Sequence, residues 1–472
     1  MSSEAPVVKT TRVGGRAATE GVIRGRFALS VGMPKEQPPE GWEWVPLSSV
    51  ARLESGHTPS RKHPEYWGGK IPWIGIRDAT SNHGRTIYRT EQTTNSLGIE
   101  NSSARVLPAN TVCLSRTASV GYVVVMGVPM ATSQDFINWV CSEAIDYSYL
   151  KYVLFAEHDS MLRFASGTTH QTIYFPEAKA FHVCLPPIAV QRRIVDSLQT
   201  LDDRIALLRE TNATLEAIAQ ALFKSWFVDF DPVHANAGGE QPAGLPPEVA
   251  ALFPDSFEES DLGQVPKGWS TGSLNDLALL NPESWTVKNR PDSVAYVDLA
   301  NAKENEIAEI TEFLFEDAPS RARRVLRDGD TIVGTVRPGN RSYAFISNPR
   351  PNLTGSTGFA VLRPKQKAAT EYVYLAATAN SSIEYLAHVA DGGAYPAVRP
   401  EVVSNLPCVL PSYDVLNAFH AVAAPLFAKV AANHQQAQTL ATLRDTLLPR
   451  LISGQLRLPD AEEQLSEAGL CQ

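Results

Sequence analysis

The chain has 472 residues, of which 43% are hydrophobic and 20% are charged, and its formal net charge is −9. This length predicts two or three domains with sizeable cores. The composition is ordinary for a globular protein. The sequence contains no 18-residue apolar run, so no transmembrane helix is predicted. The first residues also lack the apolar stretch of a secretory signal.

The cysteines are few and far apart, with no CxxC pair. This pattern predicts reduced thiols in the cytoplasm and argues against both a zinc site and a disulfide framework. The five positions are Cys113, Cys141, Cys184, Cys408 and Cys471.

The negative charge is concentrated in two segments. Residues 231–262 hold seven acidic residues and no Lys or Arg, and the residues after Leu458 hold four more acids and no base. We interpret 231–262 as an acidic linker and 457–472 as an acidic tail. The rest of the chain carries a small net positive charge, so the overall acidity does not exclude a nucleic-acid partner.

The first 38 residues contain Gly and Arg and show little periodicity. They predict an irregular, positively charged N-terminal arm. A solvated tail is the default interpretation of such a segment, and contact with DNA phosphates is the alternative.

The sequence then repeats itself. The pattern Pro39, Gly41, Trp42 returns as Pro266, Gly268, Trp269. Three further matches keep their order, with offsets between 219 and 227 residues: VLPANTVCLSRTASVG at Val106 with VLRDGDTIVGTVRPGN at Val325, SQDF at Ser133 with STGF at Ser356, and ASGTTHQTI at Ala165 with ADGGAYPAV at Ala390. Ordered matches with a drifting offset indicate a duplication followed by loop insertions.

Each repeat predicts a mixed α/β globule, at 39–187 and at 263–410. Short β-like runs are broken by Gly, Pro and Asn, and a helical patch precedes the last strand of each globule. The expected strands are 71–76, 111–114, 121–126 and 136–140 in the first globule, and 293–299, 331–336, 343–346 and 359–362 in the second. The helical patches are 147–164 and 370–386.

A long helix follows each globule, at 188–230 and at 411–456. Apolar residues recur at steps of three and four, the 3.5-residue period of a coiled-coil seam, although any amphipathic surface helix is the alternative. Asn212 lies on the first seam, where a polar residue can fix the register. The expected seam residues are Ile194, Leu198, Leu201, Ile205, Leu208, Leu215, Ile218 and Leu222, and then Phe419, Val422, Leu426, Val430, Ala437, Leu440 and Leu447.

The expected fold class is therefore α+β, with two duplicated globules on two long antiparallel coiled-coil helices and a pseudo-two-fold axis. A helix of about 40 residues is about 60 Å long, which exceeds one turn of B-DNA at about 34 Å. If the two globules bind DNA, such a helical pair would set the distance between their two contact sites.

Motifs for catalysis are missing. The chain has no phosphate-binding GxxxxGK[ST] loop, no G-x-G-x-x-G after a strand, no HExxH and no G-x-S-x-G. We therefore expect no catalytic centre, no bound metal and no cofactor in this chain.

The duplicated globule-plus-helix plan resembles the specificity (S) subunit of type I restriction–modification enzymes, from about Arg12 to Leu458. The residues that carry the resemblance are SGHTPSRKHPEYWGGKIPWIGIRD from Ser55, the LPP…Q..I start of the first long helix at Leu185, ALFKSWFVDFDPV from Ala221, and LRDTLLPRLISGQLRL from Leu443. The chain departs from the family pattern at Val190–Gln191, where Glu often precedes the Gln, and the second repeat has no Gln at this place.

The resemblance implies that each globule is a target recognition domain that reads one half of a bipartite sequence in double-stranded DNA. It also implies that the helices set the unread gap and dock two modification subunits. Those partners would use S-adenosylmethionine to methylate adenine, and restriction subunits would use ATP and Mg²⁺ to translocate and cleave DNA. No membrane partner is implied.

Base reading calls for Arg or Lys opposite guanine, Asn or Gln opposite adenine, and adaptable Ser or Thr, while Lys and Arg also bind phosphates. Each candidate has a solvated or ion-paired side chain as its alternative. The base-reading candidates are Arg77, Arg116, Ser133 and Gln134 in the first globule, and Arg337, Asn340, Arg341, Thr354 and Ser356 in the second. The phosphate-contact candidates are Arg61, Lys62 and Arg85, and Arg321, Arg323 and Arg324.

The aromatic run at the end of the first long helix allows two interpretations. One is packing within the chain, and the other is a docking surface for a partner, because exposed aromatic residues favour interfaces. The docking candidates are Trp226, Phe227, Phe230, Leu447 and Leu451.

Two other functions remain open at this point. One is a self-sufficient DNA methyltransferase with unrecognised motifs, which the missing motifs disfavour. The other is a coiled-coil scaffold that binds only proteins.

Overall fold

A computed structural model describes residues 21–167, 171–393 and 395–467. The chain divides into two compact units, one formed by the chain up to Ala206 together with the segment from Gln438 onward, and one formed by Leu207–Ala437. Residues 1–20 of the expected N-terminal arm and residues 468–472 of the expected tail lie outside the described residues.

The first unit contains three sheets. A five-stranded sheet holds three of the four expected strands, and the fourth, 71–76, falls in a three-stranded sheet. The inner strands Val112–Ser115 and Val123–Met126 of the five-stranded sheet are buried along their whole length. Its strand order is Ala51–Ser55, Phe136–Cys141, Val112–Ser115, Val123–Met126, Thr86–Ile87. The other sheets have the orders Ala131–Thr132, Trp67–Ile74, Gln92–Thr94, and Ile23–Arg24, Leu29–Val31, Phe181–Leu185, Glu43–Pro46.

Short helices cover these sheets. The expected helical patch 147–164 is two helices, Tyr147–Ala156, which Asp146 caps by accepting from the backbone N–H groups of Ser148 and Tyr149, and His158–Phe164. The others in the first unit are Leu47–Val50, Pro64–Tyr66, Ile76–Ser81, Ser96–Glu100, Phe175–Lys179 and Leu458–Glu467.

The ends of the first globule lie side by side. Its opening strand Glu43–Pro46 pairs antiparallel with its closing strand Phe181–Leu185, so that Glu43 lies opposite Leu185. The buried Tyr149 hydroxyl donates to the carbonyl of Cys184 at 3.1 Å and ties the nearby helix to the closing strand.

The prediction of an irregular arm as far as residue 38 is wrong for its described part. Leu29–Val31 is a buried strand that pairs with the closing strand. The backbone N–H groups of Phe27 and Ala28 both donate to Oε1 of the buried Glu157, at 2.7 and 2.8 Å, and that of Arg26 donates to Oε2 at 2.7 Å. A single carboxylate thus replaces water for three consecutive amides, a long-range contact that the local sequence does not reveal.

The second unit contains two four-stranded sheets and three strand pairs. The sheets have the orders Ala278–Leu280, Phe359–Pro364, Thr331–Gly334, Tyr343–Phe345, and Thr311–Leu314, Ser293–Val297, Leu353–Ser356, Ala322–Val325. The pairs are Phe257–Ser260 with Gly263–Pro266, Ser270–Ser273 with Pro407–Leu410, and Ala302–Lys303 with Glu306–Ile307. Its short helices are Asp231–Ala237, Pro247–Ala250, Leu274–Leu277, Leu299–Asn301, Pro338–Asn340, Lys367–Ala369, Thr370–Thr378, Asn380–His388 and Pro400–Ser404.

The second globule also opens and closes on paired strands. Ser270 lies opposite Leu410, and the buried Tyr372 hydroxyl donates to the carbonyl of Val409 at 2.6 Å. The acidic segment 231–262 is folded, and its side chains Val233 and Phe253 are buried in the core of this unit.

The long helices run from Ile188 to Phe227 and from Tyr413 to Ile452, close to the expected bounds. The first follows the Pro186–Pro187 pair, and the second ends before Gly454, whose φ of +71° is the left-handed conformation that commonly terminates helices.

The seam prediction holds for the first part of the first long helix, where Ile194, Leu198, Leu201, Ile205 and Leu208 are buried. Further along it is wrong at Ile218, which is 45% exposed, because Ala219 and Phe223 face the core instead. In the second helix Val422 is 43% exposed and Ala423 and Phe427 are buried. Consecutive four-residue steps shift the buried face and relax the strict 3.5-residue period.

The two helical segments of the second unit run antiparallel. Asn212 Nδ2 donates to the carbonyl of Val430, and the aromatic rings of Trp226 and Phe227 pack on Phe419. The contact partner therefore moves to lower numbers along the second helix as the first helix advances.

Two polar anchors hold the long helices to the first globule. The buried Gln191 accepts from the backbone N–H of Asp146 at 2.9 Å and donates to the carbonyls of Pro186 and Ala144. Asp202 accepts from the Tyr152 hydroxyl at 2.7 Å and from Arg444 Nη1 at 2.8 Å. The Lys151 ammonium lies 3.9 Å from the same carboxylate.

Among the described residues, the second long helix is long and apolar enough, by composition, to cross a membrane. Its most apolar 18-residue window has a mean hydropathy of 1.5, and a third of that window is buried. Length and composition alone are weak evidence for a membrane span, because a core helix passes the same test. This window nevertheless meets a hydropathy criterion for a membrane span, whereas the search of the sequence for uninterrupted apolar runs predicted no such helix.

Candidate nucleic-acid interface

In the first unit, several predicted DNA-binding residues converge on one cleft. The cleft has a volume of about 460 Å³ and lies beside the parallel pair formed by Trp67–Ile74 and Ala131–Thr132. Arg61 and Arg77 line it, and Ser133 forms part of its floor. Residues distant in sequence meet here because the parallel strands end at the same edge of their sheet.

Arg61 is held more firmly than a surface arginine usually is. Its guanidinium carbon lies 4.1 Å from the ring centre of Trp67 and 5.1 Å from that of Trp73. Its Nη2 donates to Oε1 of Gln92 at 2.8 Å. Stacking and the hydrogen bond together fix the direction of the guanidinium fork.

Arg77 lies elsewhere along the cleft and is far less constrained. Its side chain is 84% exposed and forms an ion pair with Glu91 at 3.1 Å. An exposed pair of this kind contributes little stability, so Arg77 is available for exchange from Glu91 to a DNA group.

Arg116 and Gln134 form a neighbouring group. Arg116 Nε donates to the carbonyl of Gln134 at 3.0 Å, and the guanidinium lies over the ring of Phe175. Burial lowers the pKa of Arg116, and the nearby Asp135 opposes that shift. The exposed Gln134 side chain accepts a hydrogen bond from the Thr58 hydroxyl.

The prediction that Ser133 reads a base is wrong, because only 2% of its surface is exposed. Its hydroxyl donates to Asp135 Oδ2 at 3.1 Å and accepts from the backbone N–H of the same residue. Lys62 and Arg85 are exposed, as a phosphate contact requires.

In the second unit, the three arginines predicted as phosphate contacts follow one another along one edge. Arg321 is exposed and pairs with Asp298 at 3.1 Å. Arg323 lies 4.9 Å from the ring centre of Phe315. Arg324 is less accessible, and burial lowers the pKa of its guanidinium.

Arg337, Asn340 and Arg341 lie on a tight turn built around Pro338–Asn340. Arg337 and Arg341 both have positive φ, 48° and 60°, a conformation that non-glycine residues seldom adopt and that concentrates at functional sites. Arg337 stacks on Tyr395, and Arg341 donates to the Tyr343 hydroxyl and pairs with Glu304. Asn340 at the tip is exposed.

Thr354 and Ser356 are buried on the strand Leu353–Ser356, so the prediction of base contacts is wrong for both side chains. The Thr354 hydroxyl accepts from Trp285 Nε1 at 2.8 Å and donates to the carbonyl of Asn352. These residues have the polar side chains expected for base reading, but their burial could not be predicted from the sequence.

The docking prediction is wrong for Trp226, Phe227, Leu447 and Leu451, because all four are buried in the chain's own core. The packing interpretation of the aromatic run is therefore the correct one. Phe230 is half-buried, and its ring packs on Trp269 and Phe257.

Sequence reasoning missed Gln92 and the two indoles that hold Arg61, and also Tyr395, which is 71% exposed beside Arg337. Trp67 and Trp73 lie six residues apart in the sequence, but their joint contact with Arg61 depends on the fold. Within the described residues, no group of three or more His, Cys, Asp or Glu side chains is placed to hold a metal ion.

Comparison with known proteins finds similarity to type I restriction specificity subunits. Residues 39–217 match the family described as "Type I restriction modification DNA specificity domain". The chain is 25% identical over 432 residues to the type I restriction enzyme MjaIX specificity subunit of Methanocaldococcus jannaschii, covering 89% of this chain and 95% of that protein. It is 26% identical over 346 residues to the HindI specificity subunit of Haemophilus influenzae, covering 64% of this chain and 74% of that protein.

A solved structure shares the fold. The S subunit of a type I restriction–modification system from M. genitalium has a TM-score of 0.52 and 14% identity, and the match covers 89% of this chain and 98% of that one. These relatives are type I specificity subunits, which confirms the resemblance inferred from the sequence.

Proposed function

We propose that this chain is the DNA sequence-specificity subunit of a type I restriction–modification complex, and that each globule reads one half of a bipartite target. The observation that carries the proposal is the cleft of the first unit. It lies within the segment matched as a DNA specificity domain, and it gathers Arg61, Arg77 and Gln92 at one accessible surface. Arg and Gln are side chains suited to guanine and adenine edges.

The proposal includes an internal duplication, which the parallel construction of the two units supports. Each globule opens on a strand that pairs antiparallel with its closing strand, and in each a buried tyrosine hydroxyl binds the backbone of the closing strand. A parallel strand pair also occurs in each unit, Ala131–Thr132 with Trp67–Ile74 and Leu353–Ser356 with Ser293–Val297. One ancestral fold used twice explains these coincidences.

The long helices take the role of spacer in this proposal. They form an antiparallel coiled coil with a pseudo-two-fold axis, set the number of unread base pairs and provide the docking sites of two modification subunits. Docking uses their outward side chains, since the aromatic run at the end of the first helix is occupied in packing.

In this proposal, the partner subunits carry out the catalytic reactions. Modification subunits bring S-adenosylmethionine and methylate adenine, and restriction subunits bring ATP-driven translocation and cleavage with Mg²⁺. The specificity subunit itself contributes binding and orientation, holds no cofactor and works in the cytoplasm on double-stranded DNA.

The test is a domain exchange in cells that hold the chain and its modification subunits. Residues 40–187 are replaced by the corresponding globule of a related specificity subunit, and methylated adenines are mapped across the genome. We expect a bipartite motif in which only one half changes, and exchange of residues 263–410 serves as the matched control that changes only the other half.

The competing functions make different predictions. A protein-binding scaffold leaves the methylated motif unchanged after either exchange. A self-sufficient methyltransferase transfers methyl groups without a partner, so methyl transfer by the isolated chain would contradict the proposal. The comparisons favour neither alternative.

A further inference from the structure

The loop that carries Arg61 is fixed from beneath by two tryptophans. Trp73 Nε1 donates to the carbonyl of His57 at 3.2 Å, and Trp67 Nε1 donates to the carbonyl of Ser60 at 3.4 Å. The two indoles meet edge to face, with their ring centres 5.1 Å apart. The backbone of this loop is therefore tied to the two indoles at His57 and at Ser60.

The guanidinium of Arg61 lies against the same two indoles, 4.1 and 5.1 Å from their ring centres, and these contacts restrict its position. An arginine that only neutralises a phosphate needs no such constraint, because a phosphate attracts positive charge from many directions. A base edge is different. Guanine presents O6 and N7 as two acceptors in one plane, and a planar fork with a fixed direction matches them.

Gln92 completes the arrangement. Its Oε1 accepts from Arg61 Nη2 at 2.8 Å, which uses one of the five N–H donors of the guanidinium and leaves others for a ligand. Both side chains are exposed at the cleft. The hydrogen bond orients the fork without covering it.

We propose that Arg61 reads a guanine in the half-site bound by the first unit, through two hydrogen bonds in the major groove, and that Gln92 is its positioning residue. This assignment rests on the proposed function and replaces the expectation that Arg61 contacts a phosphate. The side chain of Arg77 is 84% exposed and paired with Glu91, so its direction is less restricted than that of Arg61.

The deciding variant is Arg61→Lys. Lysine keeps the charge, so a phosphate contact survives, but it loses the planar fork. The full chain with its modification subunits is purified, and its affinity is measured for duplexes that carry the methylated motif or single base-pair changes within it. We expect discrimination at one G·C pair of one half-site to fall by about 5- to 150-fold, with the other positions unchanged.

Gln92→Leu and Arg105→Lys complete the set. Gln92→Leu frees the fork and should weaken discrimination at the same base pair, by less than Arg61→Lys does. Arg105, an exposed arginine paired with Glu54 outside the cleft, provides the matched control, and its replacement should leave discrimination unchanged. Thermal unfolding of every variant verifies that the unit remains folded.

Other results overturn the inference. Equal weakening on all duplexes, or no change with Arg61→Lys, makes Arg61 a phosphate contact or a structural side chain. Loss of discrimination at an A·T pair removes guanine as the partner. If the wild-type complex yields no motif that depends on this chain, the proposed function itself fails, and that failure is visible before any variant is compared.

Discussion

Asn433 Nδ2 donates a hydrogen bond to Oδ1 of Asn212 at 2.8 Å, and both side chains are buried between the helical segments of the second unit. Asn212 in turn donates to the carbonyl of Val430. A one-turn shift of either helix would separate the two amides and leave them buried without partners. The sequence indicated a register-fixing role for Asn212, and the structure supplies its partner.

Breaking this pair from one side should destabilise the protein. Asn433→Ala leaves the buried Asn212 amide without that partner, which should lower the free energy of unfolding by about 1–3 kcal/mol. The Asn212→Leu/Asn433→Leu double variant removes both polar groups and should lose less, or gain stability. Urea unfolding of the single and double variants measures the coupling, and strictly additive effects would show that the two side chains act independently.

The hydrogen bonds that Glu157 accepts from the backbone of Arg26, Phe27 and Ala28 yield a second prediction. Glu157→Gln replaces one acceptor oxygen by an amide nitrogen. Either the N–H groups of Phe27 and Ala28 lose their acceptor, or that of Arg26 keeps only the Ser160 hydroxyl; in both cases the charge of the acceptor is lost. Charge-assisted hydrogen bonds are worth about 1.5–3 kcal/mol each, and we expect a loss of about that size. Hydrogen exchange should also accelerate at Phe27 and Ala28. Asp159→Asn, at an exposed carboxylate, is the control. Equal effects of the two variants would contradict a specific stabilising role of the hydrogen bonds to Glu157.

The first unit should lose stability on mild acidification through His83. Burial, followed by the nearby His158, lowers the pKa of His83 to about 4, and its Nδ1 accepts from the backbone N–H of Val123 at 3.0 Å. The folded state therefore favours the neutral ring. Its contribution is present above the ordinary pKa of 6.5 and is lost as the pH falls towards 4.

Thermal unfolding between pH 7.5 and pH 4 tests this sign. His83→Gln keeps an acceptor for Val123 and removes the titrating group, so its midpoint should depend less on pH than that of the wild type. His63→Gln, at an exposed histidine, should keep the wild-type dependence. A His83→Gln profile parallel to the wild type would refute the assignment.

The spacer role proposed for the helices predicts the effect of a matched deletion. Removing one heptad between Ile205 and Leu222 and another between Ala423 and Leu440 shortens each helix by about 10 Å, close to the length of three base pairs. The gap in the methylated motif should shrink by about that number while both half-sites stay the same. A deletion in only one helix breaks the register and should abolish methylation, and an unchanged gap after the double deletion would rule out a spacer.

The sequence predicted the regular elements well because their signals are local. The eight expected strand segments contain strands, and the long helices end within a few residues of their expected bounds. The seam drifted at Ile218 and Val422 because the choice between neighbouring positions depends on the rings of Phe223 and Phe427 that fill the core. Periodicity alone does not contain that information.

The candidate interface was harder to predict because accessibility is a property of the fold. Ser133, Thr354 and Ser356 have suitable chemistry but are buried on or directly after strands. Gln92 is identified as a candidate only by its hydrogen bond with Arg61. The aromatic residues Trp226 and Phe227 have the composition of an interface, yet the core of the second unit uses them for itself.

The pairing of opening and closing strands has a consequence for how such proteins change over generations. Glu43 faces Leu185, and Ser270 faces Leu410, so the two ends of each globule leave it at neighbouring backbone positions. Genetic crossovers at the opening and closing strands of a globule would replace all residues between the two strands. The antiparallel pairing of those strands would be preserved. Reassortment of whole globules between related genes would then create new target sequences in a single step, with no need for base-by-base adaptation of the helices.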